Sequence, residues 1–127
     1  MAMDDNDLYI PLFVETPYYD RKSGMSRDNY FDRLGQTTTV YLQGCRETTR
    51  EEQIYSLFSK CGFIKRLVMG LFRQSKTPAG FAFVEFWSRS NAEQSVNLLD
   101  QSKLDGRIIS VALDVGFKEG RQYKRYQ

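Results

Sequence analysis

Histidine is absent from this 127-residue sequence, and only two cysteines, Cys45 and Cys61, are present. Without an imidazole, the chain has no histidine for acid–base catalysis, for activating a nucleophile or for binding a metal. Two cysteines are too few for a zinc knuckle or a disulfide framework, and we expect both thiols to be reduced, as in cytosolic and nuclear proteins. The sequence therefore favours binding over catalysis, and we expect no enzymatic activity, no metal and no cofactor.

Long apolar runs are missing as well. No stretch of about 20 apolar residues exists, so no transmembrane helix is predicted. The first ten residues are acidic, which argues against a secretory signal or a transit peptide, and we expect no membrane association. By contrast, aromatic residues make up 14% of the chain, with nine Phe, eight Tyr and one Trp. This surplus favours a protein that stacks on its ligand.

The net charge of +2 hides an uneven distribution. Residues 1–35 contain seven acidic and four basic side chains, whereas residues 36–127 contain nine acidic and fourteen basic ones. The sequence predicts an extended N-terminal arm at 1–36, partly disordered without a ligand or partner, a folded domain at 37–115, and a basic C-terminal tail at 116–127.

Alternation and helical spacing predict the order β-α-β-β-α-β within the folded domain. Thr49 and Glu52 have the spacing of a capping box, and Asp105-Gly106 is a turn signal. The predicted elements are a strand at 39–43, a helix beginning near Thr49, strands at 63–71 and 80–87, a helix after Ser88 or Ser90, and a strand at 107–113. This order is the ferredoxin-like α+β arrangement, a four-stranded antiparallel sheet with two helices on one face.

The second face of that sheet has no helices, and period-two alternation predicts which side chains it carries. In the third strand, Glu85 should not face the core, so Phe81 and Phe83 should share the open face with it. In the first strand, Tyr41 should point the same way. Antiparallel pairing of the two strands would bring these three aromatic rings together.

Two short segments on those strands resemble the signature motifs of the RNA recognition motif (RRM) family. The octamer Ala79–Phe86 matches from its second position onward, with Ala79 in place of Lys or Arg. The hexamer Val40–Cys45 matches in its first three positions and ends in Gly44-Cys45. The resemblance implies that the exposed aromatics stack on unpaired bases. An alternative is that a partner protein, or the arm of the chain itself, covers Phe81 and Phe83.

Further segments resemble the small subunits of nuclear cap-binding complexes, namely 51–60, 69–71 and 114–123, with a weaker match at Tyr18-Tyr19-Asp20. This resemblance implies a nuclear, shuttling protein that binds the 7-methylguanosine cap (m7GpppN) of RNA polymerase II transcripts and supports their processing, splicing and export. It also implies a heterodimer with a large helical-repeat subunit, without which the small subunit binds caps poorly.

The same resemblance implies roles for particular residues. Tyr18, or its neighbour Tyr19, and Tyr41 would sandwich the methylated base, whose positive charge attracts aromatic rings. Asp114 would accept hydrogen bonds from the guanine edge. The remaining expected contacts are Phe81 and Phe83 to the cap or the next nucleoside, and Arg121 and Arg125 to the triphosphate.

Three positions depart from the family pattern near Asp114. Ala112 replaces a second aspartate, Leu113 replaces a tryptophan, and Ser110 replaces a phosphate-contacting arginine. The family carries further ligands after the position of Arg125, so we expect those ligands either to be missing or to lie beyond Gln127.

Other interpretations of the same residues stay open. The chain could be a general single-strand RNA-binding RRM, for which Tyr41, Phe81 and Phe83 suffice, or an RRM that binds only protein. Asp114 could be a strand-end cap, and the basic tail a solvated surface. An acylphosphatase-like hydrolase has the same fold, but it needs a phosphate-binding loop with an arginine, and we find none.

Overall fold

The structure is a computed structural model that describes residues 26–124, and the chain divides into two compact units at Gly35/Gln36. The described part of the first unit is a helix, α1 (Arg27–Leu34). The side chain of Ser26 caps it by accepting a hydrogen bond from the Asn29 N–H at 3.3 Å, and Asp28 and Arg33 lie at the ends that suit their charges. The sequence predicts an extended arm over these residues, and the structure has a helix there instead. The prediction missed the helix because its sequence signal is the capping residue and not an apolar periodicity.

The second unit contains the predicted β-α-β-β-α-β order with two additions. Its elements are β1 (Thr39–Gln43), α2 (Glu51–Phe58) followed by one 3₁₀ turn (Ser59–Cys61), β2 (Ile64–Phe72), β3 (Pro78–Phe86), α3 (Arg89–Leu99), β4 (Lys103–Leu104), β5 (Arg107–Ile108), β6 (Ser110–Asp114) and β7 (Tyr123–Lys124). The main sheet has the order β6-β1-β3-β2-β7. Its first four strands pair antiparallel, as predicted, and β7 adds to the edge in parallel with β2.

The predicted fourth strand is split in two. Arg107–Ile108 pairs with Lys103–Leu104 in a separate hairpin, and only residues from Ser110 onward join the main sheet. The turn between the two short strands is the predicted Asp105-Gly106. Both residues have positive φ, 53° and 80°, which is the backbone of a type I′ hairpin turn.

The start of α2 differs from the prediction by one residue. The Thr49 hydroxyl does not cap the helix, because it donates to the Asp105 carboxylate at 2.9 Å and accepts from the Arg46 N–H at 3.1 Å. The helix begins at Glu51, and the Gln53 side chain accepts a hydrogen bond from the Arg50 N–H at 2.8 Å. Thr49 thus ties the helix entry to the β4–β5 turn. The second predicted helix follows Ser88, the first of the two expected positions, and the Ser88 hydroxyl accepts a hydrogen bond from the Asn91 N–H at the start of α3.

The core lies between the sheet and the helices α2 and α3. Val40, Leu42, Val84 and Phe86 have no exposed surface, and they form one cluster with helix residues that include Phe58. Their alternation along β1 and β3 places the intervening side chains on the opposite face. Within residues 26–124, no helix is long and apolar enough to span a bilayer.

Candidate nucleic-acid interface

Three aromatic rings meet on the helix-free face of the sheet, as the alternation predicts. Tyr41 on β1 pairs directly with Phe83 on β3, and their ring centroids lie 5.2 Å apart. Phe81, two residues earlier on β3, lies 5.9 Å from Tyr41 and 6.1 Å from Phe83. Such distances are typical of interacting aromatic pairs, so the three rings form one continuous apolar surface, which we call the aromatic cluster.

Phe83 is not available on this surface, although the sequence predicts that it is exposed. Only 3% of it is accessible, whereas Tyr41 and Phe81 are half-buried. The ring of Phe117 lies 5.4 Å from the Phe83 ring, and the Arg121 guanidinium lies 4.8 Å from its centroid. Among the described residues, these covering groups come from the segment after β6. Sequence reasoning missed Phe117, for which the available signal was an aromatic residue directly after a glycine. In the structure that glycine, Gly116, has a positive φ of 135°.

Asp114, the predicted guanine acceptor, lies at the end of β6 and is 9% exposed. The Arg121 guanidinium donates two hydrogen bonds to the Asp114 carboxylate, from Nη1 to Oδ2 at 2.6 Å and from Nη2 to Oδ1 at 3.0 Å. The Gly116 N–H donates to the same Oδ2 at 3.0 Å. A carboxylate offers about four acceptor positions, and three are already used here. Arg121, predicted to contact phosphate, is therefore bound to the carboxylate that was predicted to bind the base.

The segment after β6 is held onto the sheet by more than this ion pair. The Leu71 N–H on β2 donates to the Gln122 carbonyl at 2.6 Å, and Tyr123 pairs with Leu71. The ammonium of Lys76 and the guanidinium of Arg73 lie 4.2 and 5.6 Å from the Tyr123 ring centroid. Within the predicted basic tail, Arg121, Gln122 and Tyr123 are thus packed on the sheet, whereas Lys118 and Glu119 are exposed.

An open groove of about 530 Å³ borders the aromatic cluster where β1 ends and β3 begins. The backbone there is tightly constrained, because a Cβ on Gly80 (φ +90°) would lie 2.8 Å from the Cys45 carbonyl oxygen. The groove is lined by Tyr41, Gln43, Gly44, Cys45, Ala79, Gly80, Phe81, Phe83 and Arg121. An aromatic wall, a guanidinium and exposed backbone groups are the features that suit a base and its attached phosphate.

Basic side chains border the cluster on its other side. Glu85 lies on the open face, as predicted, and accepts from Arg66 Nη2 at 3.2 Å, with Lys65 Nζ at 3.9 Å. The Arg66 guanidinium also lies 5.0 Å from the Phe117 ring centroid. Two bases against one acid leave this edge of the face positively charged, which favours a phosphate backbone.

The three residues that depart from the family pattern, Ala112, Leu113 and Ser110, all lie on β6. Ala112 pairs with Tyr41 and is exposed, so a methyl group lies beside the aromatic cluster where the family has a carboxylate. Leu113 and Ser110 are half-buried on β6. Tyr18, Tyr19 and Arg125 lie outside the described residues, and the structure does not place them. Between residues 26 and 124, no group of three His, Cys, Asp or Glu side chains could hold a metal ion.

The chain matches known proteins over most of its length. Residues 40–110 match the RNA recognition motif family. The proteins named "Nuclear cap-binding protein subunit 2" from Dictyostelium discoideum, Ixodes scapularis and Homo sapiens are 49%, 46% and 42% identical over 85%, 85% and 94% of this chain. The matched residues cover 46%, 71% and 75% of those three proteins, so the match spans less than half of the first protein's length.

Solved structures agree with the fold. "Structure of RNA15 RRM" has a TM-score of 0.60 at 29% identity and covers 63% of this chain and 92% of its own. "Structure of Rna15 RRM with bound RNA (GU)" has a TM-score of 0.58 at 26% identity and covers 66% and 89%. The β-α-β-β-α-β sheet, the aromatic cluster and these likenesses lead to one conclusion: the chain belongs to the RNA recognition motif family of binding proteins, among those named nuclear cap-binding protein subunit 2.

Proposed function

We propose that this protein binds the 7-methylguanosine cap of RNA polymerase II transcripts as the small, non-enzymatic subunit of a nuclear cap-binding complex. The observation that carries the proposal is the juxtaposition of Tyr41 and Phe81 with the Asp114–Arg121 pair, in a chain 42–49% identical to proteins named for this role. An aromatic platform beside a carboxylate and a guanidinium matches the three chemical parts of a cap, namely a cationic base, its donor edge and a triphosphate.

The aromatic side of the site supplies preference for the methylated base. Methylation at N7 gives guanine a delocalised positive charge, which aromatic rings attract through their negative faces. Tyr41 provides one ring, and Tyr18 of the arm provides the second, with Tyr19 as the alternative. Each desolvated contact with the cation contributes roughly 1–2 kcal/mol. The half-buried ring of Phe81 extends the same surface toward the groove, where the next nucleoside fits.

Asp114 recognises guanine and Arg121 recognises phosphate, once the ion pair between the two residues has opened. The N1–H and N2 amino groups of guanine form a donor pair that a carboxylate accepts side by side, as it accepts a guanidinium. Arg121 occupies those acceptor positions on Asp114. We infer that the base replaces Arg121 on Asp114 and that the released guanidinium, together with Arg125, binds the triphosphate. The methyl group of Ala112 adds no acceptor, so Asp114 alone reads the guanine edge.

A large helical-repeat subunit is proposed as the partner that orders the arm at 1–36 around the cap. The proposal places the heterodimer in the nucleus, with shuttling to the cytoplasm, where it supports the processing, splicing and export of transcripts. The folded domain at 37–115 then serves as the platform, and the basic segment at 116–127 as the phosphate-binding part of the site.

The test compares binding of m7GpppG and GpppG to the full chain assembled with its large subunit. We expect tighter binding of the methylated dinucleotide. Tyr41→Ala should reduce the ratio of the two affinities by about 5- to 30-fold, the equivalent of one lost cation–π contact. The matched control is Tyr55→Ala, a half-exposed tyrosine on α2, which should leave the ratio unchanged.

Equal affinity for the two dinucleotides in the assembled complex would refute the proposal. Binding of uncapped oligomers that is lost in Phe81→Ala but unaffected by Tyr18→Ala would instead favour general single-strand recognition by the aromatic cluster. Absence of any RNA binding at low salt, where phosphate contacts are strongest, would indicate a face that binds protein.

A further inference from the structure

The middle of β2 contains a glycine whose backbone does not require one. The φ of Gly70 is not positive, so the backbone conformation there would accept an alanine. Glycine in a strand interior weakens the strand, and it often marks a place where another group approaches closely. The pairing of β2 with β3 shifts register between Met69 and Leu71, at this same position.

The group that approaches Gly70 is the ring of Phe81. A Cβ built on Gly70 would lie 2.5 Å from three atoms of that ring, and Gly70 is itself buried. The three nearest atoms all belong to this ring, so the ring lies directly on the strand backbone at the one position of β2 without a side chain. From there it reaches 5.9 Å from Tyr41 and borders the groove.

We propose that Gly70 is a positioning residue: by lacking a side chain, it allows the Phe81 ring to lie across β2 and present its outer surface beside Tyr41 for stacking on a nucleoside. The inference rests on the proposed function, because it assigns Phe81 a role in that site. An alanine at position 70 would press first on a side-chain ring and not on backbone, since the three atoms nearest to its Cβ all belong to Phe81. The fold is therefore expected to survive, while the stacking platform moves.

The test is a double-mutant cycle on the assembled complex, with Gly70→Ala, Phe81→Ala and the double variant. The probes are m7GpppG and an uncapped single-stranded RNA oligomer. Phe81→Ala should weaken binding by about 5- to 150-fold, the range of one lost base–aromatic stack, and Gly70→Ala should weaken it about tenfold. Adding Gly70→Ala to Phe81→Ala should cost nothing more, because the ring it displaces is gone. Tyr55→Ala is the control, since this half-exposed side chain belongs to helix α2 and not to the open face of the sheet.

A second measurement reports the ring position without any ligand. In the NMR spectrum of the full chain, the Hα protons of Gly70 should be shifted upfield by the Phe81 ring current, and the shift should vanish in Phe81→Ala. Wild-type affinity in Gly70→Ala, an equal loss from Gly70→Ala in both backgrounds, or an unshifted Gly70 signal would each overturn the inference.

The two proposals fail in different ways. Equal binding of the methylated and unmethylated dinucleotides would refute the proposed function. The role of Gly70 would still be tested by the double-mutant cycle on the uncapped oligomer and by the chemical shift of the Gly70 Hα protons. A clear methyl preference with no coupling between Gly70 and Phe81 defeats only the inference. If the wild-type complex binds neither probe, both are wrong.

Discussion

Replacing Arg121 by alanine tests the contact that joins the C-terminal segment to the sheet. The substitution removes both hydrogen bonds to Asp114, the bond from Nη1 to the Gly116 carbonyl at 2.7 Å, and the guanidinium over Phe83. The Gly116 N–H to Oδ2 bond remains, so Asp114 keeps one strong donor. The variant therefore leaves a mostly buried carboxylate with only part of its former compensation.

Exposure decides the size of the effect. Exposed ion pairs contribute about 0.2–1 kcal/mol, whereas removing one partner of a buried pair costs about 3–5 kcal/mol. The Arg121 side chain is 32% exposed and that of Asp114 11%, which places this pair between the two limits. We expect a loss of about 2 kcal/mol in the free energy of unfolding, which lowers the Tm of a domain of this size by roughly 8–16 °C.

The assay is thermal and chemical unfolding of the full chain, followed by circular dichroism. Arg66→Ala is the control, because that arginine also contacts a carboxylate and an aromatic ring but is half-exposed, and it should cost no more than about 1 kcal/mol. Arg121→Lys keeps the charge without the two-pronged geometry and should lose roughly half as much as the alanine variant. A Tm decrease for Arg121→Ala no larger than that for Arg66→Ala would refute the reasoning, as would full additivity with Asp114→Asn.

Two further predictions concern the backbone and the buried thiols. Gly80→Ala should destabilise the fold by about 2–3 kcal/mol in urea unfolding, because the φ of Gly80 is +90° and the new Cβ would press on the Cys45 carbonyl oxygen. The control is Gly35→Ala, at a φ of −71°, which should change the free energy of unfolding by less than about 1 kcal/mol. Burial raises the pKa of the Cys45 thiol to about 11, and burial also raises that of Cys61. The unfolded thiol therefore ionises first, and stability should fall as the pH rises from about 9 to about 11. The fall should be smaller in Cys45→Ala, and an identical pH profile in that variant would contradict the assignment.

The sheet and its two faces could be predicted from the sequence because they follow from local patterns. Alternation in β1 and β3 fixes which residues face the helices, and one charged residue, Glu85, identifies the open face. The turn at Asp105-Gly106 and the cap at Ser88 are likewise short-range signals. Such features need no knowledge of what lies far along the chain.

The features that the sequence did not reveal depend on contacts between distant segments. The Thr49 hydroxyl donates to Asp105, 56 residues away along the chain. The capping signature predicted a backbone N–H of the first helical turn as its partner instead. The burial of Phe83 results from Phe117 and Arg121, and the parallel pairing of Tyr123 with Leu71 spans 52 residues. Composition identified the tail as basic, but it could not show that Arg121 is neutralised by Asp114.

The Asp114–Arg121 pair supplies a physical reason for the second subunit that we propose. If guanine must replace Arg121 on Asp114, binding has to break a contact that contributes about 2 kcal/mol. Such a cost lowers the apparent affinity of the chain for a cap about 30-fold, unless another contact offsets it. Phosphate contacts of the released Arg121 recover part of this free energy, and a partner that holds the N-terminal arm against the base removes the cost of ordering it. Under the proposed exchange, the closed Asp114–Arg121 pair favours cap binding only where base, phosphate and partner act together, and we expect the assembled complex to bind caps more tightly than the free chain.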